Sequence, residues 1–276
     1  MNFTQAYAPQ IITKFNVHQT GSGKPTLLFA HGFGCDQTIW HKVAPSFAEN
    51  YHIVLFDYLG SGGSDTTQFD HQRYSTLDAY AEDLITICEA LNLQNIYLIG
   101  HSVSGAIGML ASIQRPDLFT KLITIAPSPH YINEVDYFGG FDYQDVLGLL
   151  EMMHLNYFDW ANYLAPIAVG NQNSPQFGED LKITFLRNDP LISETFAKAT
   201  FLCDLRDQLA QVKVPVCVLY CLEDIIVPVE VINYLQSHLE QCEICKIEAT
   251  GHYPQITNPN SLVTAIQAHI QIQTIE

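Results

Sequence analysis

The stretch Asn95-Ile-Tyr-Leu-Ile-Gly100-His-Ser102-Val-Ser-Gly105-Ala-Ile-Gly-Met-Leu-Ala-Ser-Ile113 decides the fold. Ile96 to Ile99 is a short apolar run with β-branched residues, which predicts a buried strand. Gly100 ends it, and from Val103 to Ile113 small and apolar residues predict a buried helix. Ser102 therefore falls at a tight strand-to-helix turn, where small neighbours let backbones approach and leave a hydroxyl facing a cleft above a sheet. The usual pattern of such a turn is G-x-S-x-G. Here Ser104 stands where the last glycine is expected, the next-smallest residue for that close contact, and Gly105 follows it.

Working outward, the other elements fit a sheet built from βαβ units. Thr26 to Ala30 and His52 to Phe56 are continuous apolar runs of the kind found in strands covered on both faces. The first runs into His31-Gly32-Phe33-Gly34 and the second into the glycine-rich Asp57-Tyr58-Leu59-Gly60-Ser61-Gly62-Gly63-Ser64. Ile11 to His18 is expected to be an opening strand. Thr76 to Leu91 repeats apolar residues close to the 3.6 period and predicts a helix. Strands are expected again at Leu122 to Ala126, Val214 to Leu222 and Ile244 to Glu248, with helices at about Val229 to Leu239 and Ser261 to Ile272. Strands alternating with helices imply a mainly parallel sheet, whose functional loops gather at the carboxyl ends of the strands.

Between Pro129 and about Arg206 the alternation disappears. Four short amphipathic stretches rich in Phe, Tyr, Trp and Met follow, around Gln144 to Asn156, Trp160 to Val169, Phe177 to Arg187 and Pro190 to Cys203. The division predicted is a core of residues 1–128 and 209–276 with a helical cap, 129–208, inserted into it.

A serine hydroxyl is a poor nucleophile at neutral pH and needs a base, itself held in one tautomer by a third group. Asp224 follows the strand Val214 to Leu222, and His252 follows the strand Ile244 to Glu248. With Ser102 they form the candidate catalytic set. Glu223 is adjacent, but Asp224 is better placed in the loop before Pro228. His31 and His101 are expected to orient loops, and Asp57, which precedes the serine, to serve as a hydrogen-bonding brace. An oxyanion needs two N–H donors; Val103, at the helix start, and Phe33, in the glycine loop, are the candidates.

These residues resemble the α/β-hydrolases. Gly-His-Ser-Val-Ser at 100–104, His-Gly-Phe-Gly-Cys-Asp-Gln at 31–37, Asp-Tyr-Leu-Gly-Ser-Gly at 57–62 and Tyr-Phe-Gly-Gly-Phe at 137–141 are similar to the RsbQ-type bacterial proteins and the related plant strigolactone and karrikin receptors. The resemblance runs from about Phe15 to Ile270. It implies a mainly parallel eight-stranded sheet flanked by helices, with a four-helix V-shaped lid over a deep apolar pocket. Tyr131, Phe158, Trp160, Phe185, Phe196 and Phe201 are the aromatics expected to line it. It implies two classes of function: a serine hydrolase acting on a small apolar ester or lactone, or a ligand sensor whose slow chemistry engages a signalling protein partner. Dehalogenases and epoxide hydrolases carry Asp at the elbow, whereas this chain has Ser102. A cofactor-free haloperoxidase shares the same triad.

Composition limits the rest. With 47% hydrophobic residues in 276 the chain buries a large core, and 12 Lys and Arg against 29 Asp and Glu give a net charge of −17. That balance argues against nucleic acid and anionic membrane surfaces, which demand clustered cations. No cationic segment leads an apolar one near Met1, so the expectation is a soluble cytoplasmic protein with no cofactor. Seven cysteines are read as reduced thiols. The spacing of Cys217, Cys221, Cys242 and Cys245 is superficially zinc-like, but the first pair falls inside a strand, so no metal is expected.

Overall fold

A computed structural model of the chain describes residues 3–170 and 172–270. Seven strands form one sheet in the order β1-β3-β2-β4-β5-β6-β7: His18–Thr20 (β1), Thr26–Ala30 (β2), His52–Leu55 (β3), Ile96–His101 (β4), Phe119–Ile125 (β5), Val216–Leu222 (β6) and Cys242–Thr250 (β7). Every pairing is parallel except that of β1, which lies antiparallel to β3 at the edge. The eight strands implied by the family resemblance are thus seven among the described residues.

The beginning of the chain departs most from expectation. In place of a strand at Ile11 to His18, Phe3–Lys14 is a helix (α1), and only the last residue of the expected run enters β1. Ile11 and Phe15 are both buried while Thr13 between them is exposed. That i, i+4 spacing belongs to a helix face, and the β-branched residues there pack without alternating.

The central strands match the sequence closely because their neighbours leave no choice. All five residues of β2 and all six of β4 are buried, as two-sided coverage requires. Helices α2 (Leu77–Ala90) and α3 (Val103–Gln114) pack against each other, and α3 lies on β4 and β5. Close approach is enforced by glycine: a Cβ on Gly108 would lie 2.3 Å from Leu98, and one on Gly100 would lie 2.8 Å from the Ser104 carbonyl oxygen.

Between β5 and β6 stand four helices, Tyr143–Leu155 (α4), Tyr157–Val169 (α5), Pro175–Phe185 (α6) and Pro190–Phe201 (α7). Their starts are set locally: Asn156, Ser174 and Asp189 each accept a hydrogen bond from the first turn that follows. Val229–His238 (α8), the single turn Pro254–Thr257 (α9) and Pro259–His269 (α10) complete the core; the expected extension of the last helix to Ile272 lies partly outside the described residues. Among the described residues no helix is long and apolar enough to cross a membrane.

Candidate active site

Three loops, each leaving the carboxyl end of a strand, bring Ser102, Asp224 and His252 together. Ser102 follows β4 at once, with φ 56° and ψ −122°, a conformation that side-chain-bearing residues avoid and that costs on the order of 1–3 kcal/mol. Its surroundings hold it there. The Ser102 N–H donates to the Ile125 carbonyl at 2.7 Å, and the Gly105 N–H donates to the Ser102 carbonyl at 2.8 Å. The hydroxyl ends up 2.8 Å from His252 Nε2, and His252 Nδ1 lies 2.8 Å from Asp224 Oδ2. Asp224 is fixed in turn, because its Oδ1 accepts from the Ile226 and Val227 N–H groups at 2.9 and 3.0 Å. All three side chains are buried. Neighbouring Glu223 points elsewhere and accepts from Gln172.

The His252 backbone is held from two sides. Its N–H donates to the Ala168 carbonyl near the end of α5 at 2.8 Å, and its carbonyl accepts from His101 Nε2 at 2.8 Å. Gly251, at φ 79°, permits this contact, since a Cβ there would lie 2.3 Å from the Val169 carbonyl oxygen. Sequence alone gives His101 a loop-orienting role; its target is the candidate base. His31 works similarly: its Nδ1 donates to the Gly32 carbonyl at 2.9 Å and its Nε2 accepts the Tyr58 N–H at 3.1 Å. Asp57 braces the same region, accepting from Gln37 N–H, Gly63 N–H and Asn16 Nδ2.

Ser104 is more than a small substitute for glycine. Its hydroxyl donates to the His31 carbonyl at 2.5 Å and pairs with the Tyr58 hydroxyl at 2.9 Å, joining the elbow to two neighbouring loops. Nothing in a one-dimensional motif signals such a cross-link.

Burial, the leading cause, pushes His31 and His101 below the ordinary histidine range; the His252 imidazole acts in the same direction on His101, while Asp57 opposes the shift at His31. Both are neutral in the folded protein at neutral pH, and in the unfolded chain each takes up a proton near pH 6.5. Below that point the unfolded state binds more protons, so stability is complete above it and falls as pH drops toward the folded values. Each histidine adds a slope of up to about 1.4 kcal/mol per pH unit. Urea unfolding between about pH 5.5 and 7.5 checks this; His101→Gln, which retains a donor, is expected to flatten the curve.

The loop after β2 completes the arrangement. Gly32 passes so close to the elbow that a Cβ would lie 2.5 Å from His101 Nδ1 and 3.4 Å from Ser102 Cβ. Gly34 has φ 73°, and a Cβ there would meet the Phe185 ring at 2.6 Å. Among the described residues neither the Phe33 nor the Val103 N–H has a protein acceptor.

The Phe33 side chain, absent from the sequence-based account, is a hub. Trp160, Phe196 and Phe201 meet it edge-on at 5.8, 5.7 and 5.8 Å, and Phe185 lies at 6.5 Å. Rings from α5, α6 and α7 therefore converge on the loop carrying a candidate oxyanion donor. Phe33→Ala is expected to destabilise the fold by about 3–5 kcal/mol, read from denaturant midpoints, because four rings lose their common partner.

Tyr131 is buried beside Ser102, its hydroxyl without a well-formed partner. Phe196 also stacks on Tyr80 at 4.3 Å, tying α7 to the core. Phe158, expected to line the pocket, is instead 55% exposed. Two residues before buried Trp160, it falls roughly 200° around the helix, on the outer face. Tyr157 takes the inner position, stacking on Trp160 at 5.2 Å and donating to the Phe185 carbonyl at 2.8 Å.

Residues 25–150 match the family described as alpha/beta hydrolase fold. The chain is 40% identical over 253 residues to the strigolactone esterase of Arabidopsis thaliana, covering 91% of this chain and 94% of that one. It belongs to the α/β-hydrolase family. This α/β-hydrolase is also 39% identical over 256 residues to the Karrikin insensitive 2 receptor CA of Petunia hybrida, covering 92% and 95% of the two chains. Among solved structures it is similar to a hydrolase from Oleispira antarctica, with a TM-score of 0.93 and 36% identity over 95% of this chain and 96% of that one. The α/β-hydrolase fold accounts for the mainly parallel sheet.

Proposed function

We propose that this α/β-hydrolase cleaves a small apolar ester or lactone through an acyl-enzyme. The observation that carries the reading is the unbroken Asp224–His252–Ser102 chain, with 2.8 Å at each link. Ser102 Oγ attacks the carbonyl carbon while His252 Nε2 accepts its proton. Asp224 keeps the Nδ1–H tautomer and offsets the imidazolium charge. The oxyanion is received by the Phe33 and Val103 N–H groups, which are otherwise unspent. His252 then gives its proton to the leaving oxygen as the C–O bond breaks, and a water deprotonated by His252 releases the acid.

The aromatic side chains near Ser102 support a substrate class. We assign Tyr131, Trp160, Phe185, Phe196 and Phe201, with the Phe33 ring, to the pocket, and residues 129–208 to a cap over it. Aromatic walls favour an apolar acyl or alcohol portion of modest size. A second reading rests on the names of the relatives, of which one is an esterase and another a receptor, each similar over nine-tenths of the chain. In that reading hydrolysis is slow or occurs once, and the cap then engages a signalling protein. A progress curve with excess p-nitrophenyl acetate separates the two. Sustained release supports turnover, one equivalent followed by a stall supports a single-use sensor, and no release beyond the buffer rate overturns both.

A further inference from the structure

The two chain segments that enter and leave the four-helix insertion meet in a short antiparallel bridge, His130 opposite Asp204. Leu205 N–H donates to the Pro129 carbonyl at 2.9 Å, which ties the same crossing together. His130 is 5% exposed. Its Nδ1 donates to the Cys203 carbonyl at 2.6 Å, which leaves Nε2 as a bare lone pair in the neutral ring. That Nε2 is buried and has no hydrogen-bond partner. It faces Glu134 Oε1 at 3.7 Å, and a carboxylate oxygen of Asp204 completes a group whose ligand atoms all lie within 4.8 Å of one another.

With the ring neutral, Nε2 and Glu134 Oε1 face each other as two acceptors with no donor between them, an arrangement that a bridging cation would satisfy. A proton on Nε2 would draw the pair to about 2.7–3.2 Å, the range of a direct hydrogen bond. A tetrahedral zinc ion, with ligand distances of about 2.0–2.2 Å, sets neighbouring ligand atoms roughly 3.3–3.5 Å apart, closer to the observed spacing. The outer shell is also that of a metal-bound histidine, whose other ring N–H is given to a backbone carbonyl. Arg206 is the competing cation: it donates to Glu134 Oε2 and to both Asp204 oxygens, and its guanidinium lies 4.8 Å from the Tyr137 ring centre. It leaves Glu134 Oε1 and His130 Nε2 unoccupied, and one positive charge against two carboxylates leaves the cluster negative.

The geometry points to a divalent metal site, suited to Zn²⁺, formed by His130, Glu134 and Asp204 at the neck of the insertion. An imidazole nitrogen and two carboxylates fit that ion, with water in the remaining position. The site clasps both connections to the four helices, and His130 adjoins Tyr131, which sits beside Ser102. It stands independently of the hydrolytic reading.

Calorimetric titration of the full chain with ZnCl₂ tests the site. One equivalent is expected in the wild type and in His252→Gln, lost in His130→Gln and at least tenfold weaker in the half-exposed Glu134→Gln. Arg206→Gln is expected to bind more tightly, because a competing cation is gone. Circular dichroism verifies that each variant is folded. If wild type takes up no zinc, or if His130→Gln binds it as well as wild type does, the assignment is overturned.

Discussion

Ser102→Ala is expected to lower kcat/KM for p-nitrophenyl acetate by about 10⁴- to 10⁶-fold while leaving the fold intact. The magnitude reflects the loss of the nucleophile from a group of residues that acts as a unit, so only the oxyanion donors and binding contacts remain. Stability is expected to hold or rise slightly. The Ser102 backbone strain persists with alanine, and the deleted hydroxyl belongs to no hydrogen bond that supports the fold apart from the one to His252. Rates in wild type and Ser102→Ala, measured beside their denaturant midpoints, separate lost chemistry from lost structure. Equal rates would remove Ser102 from the mechanism.

Asp224→Asn tests the orientation of the base, and about 10⁴-fold loss in kcat is expected with little change in KM. Asp224 Oδ1 accepts from the Ile226 and Val227 N–H groups, so an asparagine oxygen takes that place without moving the loop. Its amide nitrogen then faces His252 Nδ1, where the carboxylate had been an acceptor. The imidazole turns to the other tautomer, placing N–H rather than a lone pair toward Ser102. A loss below tenfold would mean that another group fixes the tautomer.

How much of this was legible in the sequence depends on how local each constraint is. Strand β2 was expected at Thr26 to Ala30 and is found there, because a run buried on both faces has only one reading. Ser102, Asp224 and His252 were placed by their positions just after strands, and the fold then brings those ends together. The opening helix was missed because its β-branched residues suggest a strand, while the evidence for a helix is the burial of Ile11 and Phe15 on one face. Phe158 was misplaced because composition counts aromatics without counting turns of the helix. The Ser104 cross-link and the Phe33 hub join residues dozens of positions apart, through contacts that no spacing announces. His101 was recognised as a brace, but what it braces is the carbonyl of a residue 151 positions away.

Ser102 is expected to form a covalent acyl intermediate. Mixing the protein with p-nitrophenyl acetate, quenching in acid within the first turnover and mapping peptides by mass spectrometry tests it directly. An acetyl group is expected on the peptide containing Ser102, absent from Ser102→Ala and abundant in a variant with slowed deacylation. Release of p-nitrophenol with no acetyl on that peptide, or with the acetyl on another residue, would contradict it.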